Sequence, residues 1–412
     1  MNPPPARLSP PLLALLACAS ALSVANVYYA QPLLDAIAAD FSISKAAVGS
    51  VVTATQVGCA IALVFLVPLG DLVSRRRLML VQALALVASL VTVTLSGSTI
   101  VLLIGMLATG LFGTAMTQGL IAYAANAASE DQRGHVVGST QAGVFVGLLL
   151  ARVVSGSVSD ISGWRGTYGM AAVAMLLLSA LLYRALPETP TQPMRISYPR
   201  LLWSMVGLLR EERVLRIRGT LALLMFAALN IFWSALVLPL STAPFGFSHT
   251  AIGAFGLVGA LGALVASPAG RWTDRGWGER ATAWALGLLI LAWLPLAGMY
   301  ASLWWLVLGI VLLDMGGQVL HVTNQSLIFK RLPEAHSRLV GAYMLFYAVG
   351  SGAGAMATTV VYARFGWVGV CILGGLVSFA ALLLWWATLR KRRSSAGPSA
   401  SGTVPVAYGN GS

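Results

Sequence analysis

Apolar residues in this chain run in long stretches, broken at intervals by short clusters of Arg, Gly and Pro. Between those breaks the pattern predicts helices at 12–34, 46–69, 78–96, 99–126, 136–159 and 166–186. A second set is predicted at 217–242, 250–270, 281–298, 302–329, 338–363 and 367–389. A helix needs ~20 apolar residues to cross ~30 Å of hydrocarbon, and these stretches are close to that length. The predicted fold is therefore an all-α membrane protein of twelve transmembrane helices. The first stretch, Leu12 to Val27 behind Arg7, mimics a secretory signal. It is read as the first span, because removing it would leave eleven and an unpaired half.

One long interruption divides the spans. Segment 187–216 holds Pro187, Pro190, Pro193 and Pro199 and a charged run from Arg210 to Arg216. It is read as a cytoplasmic linker between a first half, 1–186, and a second, 217–389. The tail, 390–412, is basic and then Ser/Gly-rich, a composition that predicts cytoplasmic disorder.

The halves also repeat. Gly70 and Gly270 each open the loop after the second span of a half, and Glu130 and Glu334 each follow the fourth. Gly163-Trp164 and Gly366-Trp367 each precede the sixth. Three markers in nearly one register predict two six-helix repeats, an arrangement common in transporters.

Composition sharpens this picture. The chain has 412 residues, of which 58% are hydrophobic and 9% charged, against about 25% charged in soluble domains. A net charge of +13 would suggest nucleic acid in a soluble protein. Here it follows the positive-inside rule, and no nucleic-acid partner is expected. With the N-terminus inside, 22 of the 26 Lys and Arg fall in cytoplasmic segments. Only Lys45, Arg165 and Arg364 fall outside, and Arg152 lies within a span. Both termini are thus expected in the cytoplasm of a bacterial inner-membrane protein. Cys18, Cys59 and Cys371 fall in apolar runs and are read as small packing residues without a disulfide.

Two charged side chains fall deep in apolar spans, Arg152 and Asp314. Inserting either alone costs ~2.5–3.5 kcal/mol, so each should face a partner or a water-filled cavity. Asp314, Gln318, His321 and Gln325 form one stripe of the tenth span. Such a stripe is either cavity lining or interhelical glue. Asn230, Trp233 and Ser234 mark the seventh span, Thr114, Thr117 and Gln118 the fourth, and Asn26 and Tyr29 the first. Tyr28, Trp304 and Trp305 read as interfacial anchors. There is no zinc-like His/Cys cluster, no Walker loop and no filter-like loop. The sequence therefore predicts neither metal nor cofactor, and no enzyme or channel.

Gly70-Asp71-Leu72-Val73-Ser74-Arg75-Arg76-Arg77 resembles the loop motif of the major facilitator superfamily, Gly-x-x-x-Asp-Arg-x-Gly-Arg-Arg. So does Gly270-Arg271-Trp272-Thr273-Asp274-Arg275. The first copy has Ser74 at the usual acid and Asp71 three residues early. Asn26-Val27-Tyr28-Tyr29-Ala30-Gln31-Pro32 and Gly147 to Gly156 are similar to the bacterial drug and sugar efflux branch. The antiporter signature of the fifth span, Gly-Pro-x-x-Gly-Gly, stands here as Ala151-Arg152-Val153-Val154-Ser155-Gly156. The resemblance implies a monomer whose first, fourth, seventh and tenth spans line a central cavity. It implies a substrate site drawn from Asn26, Tyr29, Thr114, Gln118, Asn230, Trp233, Gln318 and His321. It also implies a cytoplasmic gate from Gly70, Asp71, Arg75, Arg76, Gly270, Asp274 and Arg275.

The resulting expectation is a secondary transporter that exports a small organic solute by alternating access, coupled to protons. Asp314 would be the proton carrier and Arg152 its switch, the two pairing across the halves. Symport, facilitated uptake and a transporter-like sensor are the alternatives, and a static Arg152–Asp314 pair is the competing structural reading.

Overall fold

The computed structural model describes residues 9–70, 72–129, 132–187, 197–263, 271–273, 275–329 and 336–395. Among the described residues, nine helices are long and apolar enough to cross a membrane. Two of them are double length, Gly134–Ala185 and Leu339–Arg390. Each folds back at a glycine in the left-handed region, Gly163 (φ 72°) and Gly366 (φ 61°). A Cβ would strain both turns, so the repeated Gly-Trp marker is a pair of equivalent chain reversals. Each following Trp anchors its turn. Trp164 donates to Asp40 Oδ2 at 3.0 Å and Trp367 to Leu296 O at 2.8 Å. The predicted eighth span appears as His249–Val258 and Ala260–Ala263, and 264–270 lie outside the described residues.

Local chemistry explains where helices begin. Pro10 opens the first helix, where its missing N–H is no loss. Ser98 caps Thr99–Ala127 by accepting from Val101 N, and Ser248 caps His249–Val258 by accepting from Ala251 N. Inside the spans, buried hydroxyls bond to their own helix. Thr55, Thr109, Thr117 and Thr140 each donate to the carbonyl four residues back, which satisfies these four hydroxyl donors in hydrocarbon.

Two features depart from the sequence expectation. The linker is not simply a tether: Tyr198–Glu211 forms a helix with Pro199 in its first turn. Its buried Leu201 and Met205 face the bundle, and Tyr198 Oη donates to Phe65 O of the first half at 2.7 Å. The seventh span then starts at Arg213 rather than 217. Arg218, one of the cations counted in the cytoplasmic segments, is buried. Its guanidinium donates to Glu279 Oε1 at 2.7 Å and Thr282 Oγ1 at 2.8 Å. Trp385 donates to the other oxygen of Glu279 at 2.8 Å. A guanidinium paired with a carboxylate can be buried where a lone one cannot.

Candidate functional site

The two halves meet along a central seam. Polar bonds cross it from mid-bundle toward the face opposite the Arg75–Arg77 loop. Tyr28 and Tyr347 share a hydrogen bond of 2.5 Å, and Gln31 Nε2 donates to Asn230 Oδ1 at 3.1 Å. Thr53 Oγ1 donates to Gly352 O at 2.9 Å, and Thr359 Oγ1 to Ala46 O at 3.1 Å. At the rim of that face, Asp160 accepts from the backbone N–H groups of His249 and Thr250 and from Thr250 Oγ1, at 3.0, 2.9 and 2.6 Å. A carboxylate from the first half thus caps a helix of the second. His249 turns Nε2 to Asp35 Oδ1 at 2.9 Å and Nδ1 to Asp160 Oδ1 at 3.3 Å. This face is closed.

These rim groups lie just beyond the predicted spans, and their protonation follows from their partners. The hydrogen bond to Asp35 raises His249 above its ordinary value; burial opposes it, and Asp160 adds to the rise. Burial pushes Asp160 up, but the bonds from Thr250 and His249 outweigh it and bring it down to about 2. An imidazolium between two carboxylates is the consistent state, since only the protonated ring donates from both nitrogens.

Toward the arginine-rich face the seam opens into a cavity of about 160 Å³. Thr114, Gln118, Gln318 and His321 line it, as four of the eight predicted substrate residues. Tyr28 and Tyr347 form its end nearest the closed face. His321 Nδ1 meets Tyr343 Oη at 3.0 Å, and its ring packs edge-on against Phe226. Gln318 Oε1 has no hydrogen-bond partner among the described residues.

The other four lie elsewhere. Tyr29 turns away and packs edge-on against Tyr168 within the first half, so Tyr28, expected as an anchor, takes the cavity position. Asn26 is buried and donates to Leu22 O in its own helix. Asn230 bonds Gln31 and Ser351. Trp233 lies in a charged layer just beyond the tyrosines. Sequence reasoning passed over Gln31, Gln141, Phe226 and Tyr347. Gln141 is the one amide side chain in the predicted fifth span, a signal that could have found it.

That charged layer brings Arg152 and Asp314 together, though not in direct contact. No ion pair between them falls within 4.0 Å. Both engage one indole from opposite sides of the seam: Arg152 lies 4.1 Å from the Trp233 ring centroid, and Trp233 Nε1 donates to Asp314 Oδ1 at 3.4 Å. Arg152 Nε also donates to Gln31 Oε1 at 3.0 Å. Glycines of the eighth span make room. A Cβ at Gly259 would sit 2.2 Å from Asp314 Oδ2, and one at Gly253 2.2 Å from Arg152 O. Any side chain at either position would displace the charged layer.

The expected gate is only partly described. Asp71, Gly270 and Asp274 lie outside the described residues. Arg75 meets Asn126 of the fourth span once that amide is turned, at 3.0 and 3.3 Å. Arg76 Nη2 donates to Tyr183 O at 2.7 Å at the end of the sixth. Both of these ties run within the first half. Gly70 and Arg75 line a second crevice of about 80 Å³ with Leu201 and Met205 of the linker helix. Arg275 is exposed, with its backbone N–H on Arg271 O at 3.1 Å.

Comparison with known proteins agrees with this architecture. A profile of the Major Facilitator Superfamily matches residues 16–206 and 219–407. The uncharacterized transporter YgaY of Escherichia coli O157:H7 is 39% identical over 395 residues, covering 96% of this chain and all of that one. A "Probable sugar efflux transporter" of Helicobacter acinonychis is 24% identical over 363 residues, covering 85% and 88%. Among solved structures, a bacterial homolog of the human lysosomal transporter Spinster, crystallised inward-facing and unoccupied, superposes with a TM-score of 0.74. It shares 14% identity and covers 94% of this chain and 99% of that one.

Proposed function

The chain belongs to the Major Facilitator Superfamily, and we propose that it exports a small organic solute by alternating access, in exchange for protons. The observation that carries this reading is the charged layer. Arg152 and Asp314 come from opposite halves, converge on Trp233, and sit between a closed face and an open cavity. When the halves rock, the indole of Trp233 cannot stay against both. A carboxylate freed from a nearby cation in an apolar site favours its protonated form, and one beside the cation its ionised form. That alternation would carry one proton per cycle.

The arginine-rich face is assigned to the cytoplasm of a bacterial inner membrane, with both termini and the linker on that side. On this assignment the cavity faces inward and the His249 cluster seals the outside. Labelling supports it if a membrane-impermeant maleimide fails to reach Ser394→Cys in intact cells; labelling there would reverse the orientation. Efflux accords with the name of the Helicobacter relative, and proton symport is the second reading. The domain division at 187–216, a monomeric state and the gate role of the Gly70 and Gly270 loops belong to the same proposal.

Proteoliposomes test it directly. With an acid interior, external solute should accumulate and the lumen should lose protons; the reverse gradient should drive the solute out. Solute counterflow without any pH change would leave a facilitator and remove the proton from the scheme.

A further inference from the structure

We infer that the central cavity selects an uncharged, single-ring amphipathic solute and rejects organic cations and anions. This rests on the transporter reading above and narrows its substrate. Among the described residues, no Asp, Glu, Lys or Arg lines the cavity. Its walls are mainly aliphatic and aromatic, with Phe226, Phe145 and Met225 among them. The polar groups are the amides of Gln118 and Gln141 from the first half and Gln318 from the second, threonine and tyrosine hydroxyls, and the imidazole of His321.

The nearest ionised groups are already engaged. Arg152 lies 5.7 Å from the ring centroid of the lining Tyr28 and is held by Gln31 and Trp233, and Asp314 accepts from Trp233. The His321 ring packs against Phe226 and Tyr343 and meets the Tyr343 hydroxyl at Nδ1, with no carboxylate against it among the described residues. An ion entering this space would leave its hydration for a site that offers no counter-charge, which is strongly unfavourable. A neutral solute loses far less, and the glutamines recover its hydrogen bonds because each presents a donor and an acceptor end.

Size narrows the class further. The cavity measures about 160 Å³, and an engineered apolar cavity of roughly 150 Å³ holds one benzene. Three amides around an apolar floor suit a ring whose rim carries hydroxyl or carboxamide groups.

The test uses the full chain in lipid nanodiscs at pH 7.5, with empty nanodiscs as the partition control. Benzamide, benzylamine and benzoate share one ring and differ in charge, and binding is read from tryptophan fluorescence. Benzamide is expected to bind at least tenfold more tightly than either ion. Gln318→Glu should reverse the order in favour of benzylamine by at least tenfold, and Gln141→Glu provides a second position if the first variant fails to fold. An ion that binds the wild type as tightly as benzamide overturns the inference. So does a wild type that retains none of the three, or a preference that neither glutamate variant shifts. Loss of counterflow in vesicles with the neutral preference intact would instead sink the transporter reading and leave this assignment standing.

Discussion

Asp314→Asn is expected to abolish proton-driven accumulation of substrate while leaving substrate counterflow in place. The asparagine Oδ1 can still accept from Trp233 Nε1, which now reaches Asp314 Oδ1 at 3.4 Å, and the side chain keeps its volume over Gly259. What it loses is the capacity to take up and release a proton. One elementary charge moved through 100 mV is worth ~2.3 kcal/mol, a gradient of roughly 50-fold, and this driving term should vanish from the accumulation ratio. The competing reading is a static charged layer that only holds the halves together. It predicts a different result: the uncompensated Arg152, buried at 6% exposure, would destabilise the fold, and expression, accumulation and counterflow would fall together. The intervening indole favours the mobile reading, because two charges bridged by one ring can part without breaking a direct salt bridge. Full retention of pH-driven accumulation in Asp314→Asn would sink the carrier role.

Much of this architecture was legible because bilayer length and charge placement are one-dimensional signals. The apolar runs, the arginine-rich breaks and the repeated Gly-Trp pairs each appear in the structure as helices, loops and left-handed turns. Arg152 and Asp314 stood out because ions in apolar stretches are rare. What the sequence could not resolve was rotation about each helix axis. Tyr28 and Tyr29 are adjacent and about 100° apart on a helix, and only packing decides that Tyr29 meets Tyr168 while Tyr28 faces the cavity. The small-residue stripe Gly253, Gly256 and Gly259 was invisible for a related reason. A glycine in an apolar run looks like any small residue until the partner that needs its space is known. The linker helix was hidden among prolines that marked a break between spans, and Pro199 stands in its first turn. The burial of Arg218 was not legible, because a cation at a span end looks solvated until its partners, Glu279 and Thr282, are brought to it from other turns of the fold.

Outward opening is expected to become easier as external pH rises through the neutral range, and the effect should depend on His249. The closed face is held where the imidazole ring reaches Asp35 with one nitrogen and Asp160 with the other. Because the folded-state value of His249 is raised, its contribution is complete below the ordinary value of ~6.5 and is lost as pH climbs through the raised one. Asp160 has the opposite sign. Held down to about 2, it contributes above its ordinary carboxylate range, and that share is lost only in strong acid. The two windows overlap from mildly acidic pH to neutrality, so the latch should be tightest there and loosen above it. Hydrogen bonds to a charged group are worth ~1.5–3 kcal/mol each, and partial solvent exposure at this rim places the net effect at the low end. Asp160→Ala removes both backbone caps and the Thr250 bond at once, and should raise the outward-open fraction roughly tenfold at every pH. His249→Gln should do less, but should flatten the pH response from the ordinary histidine value of ~6.5 upward. Spin-label distances across the rim, from Lys45→Cys to a second cysteine beside Phe247, would report both. A wild-type distance distribution that stays constant over that range would show that the His249 cluster packs the outer face without sensing protons.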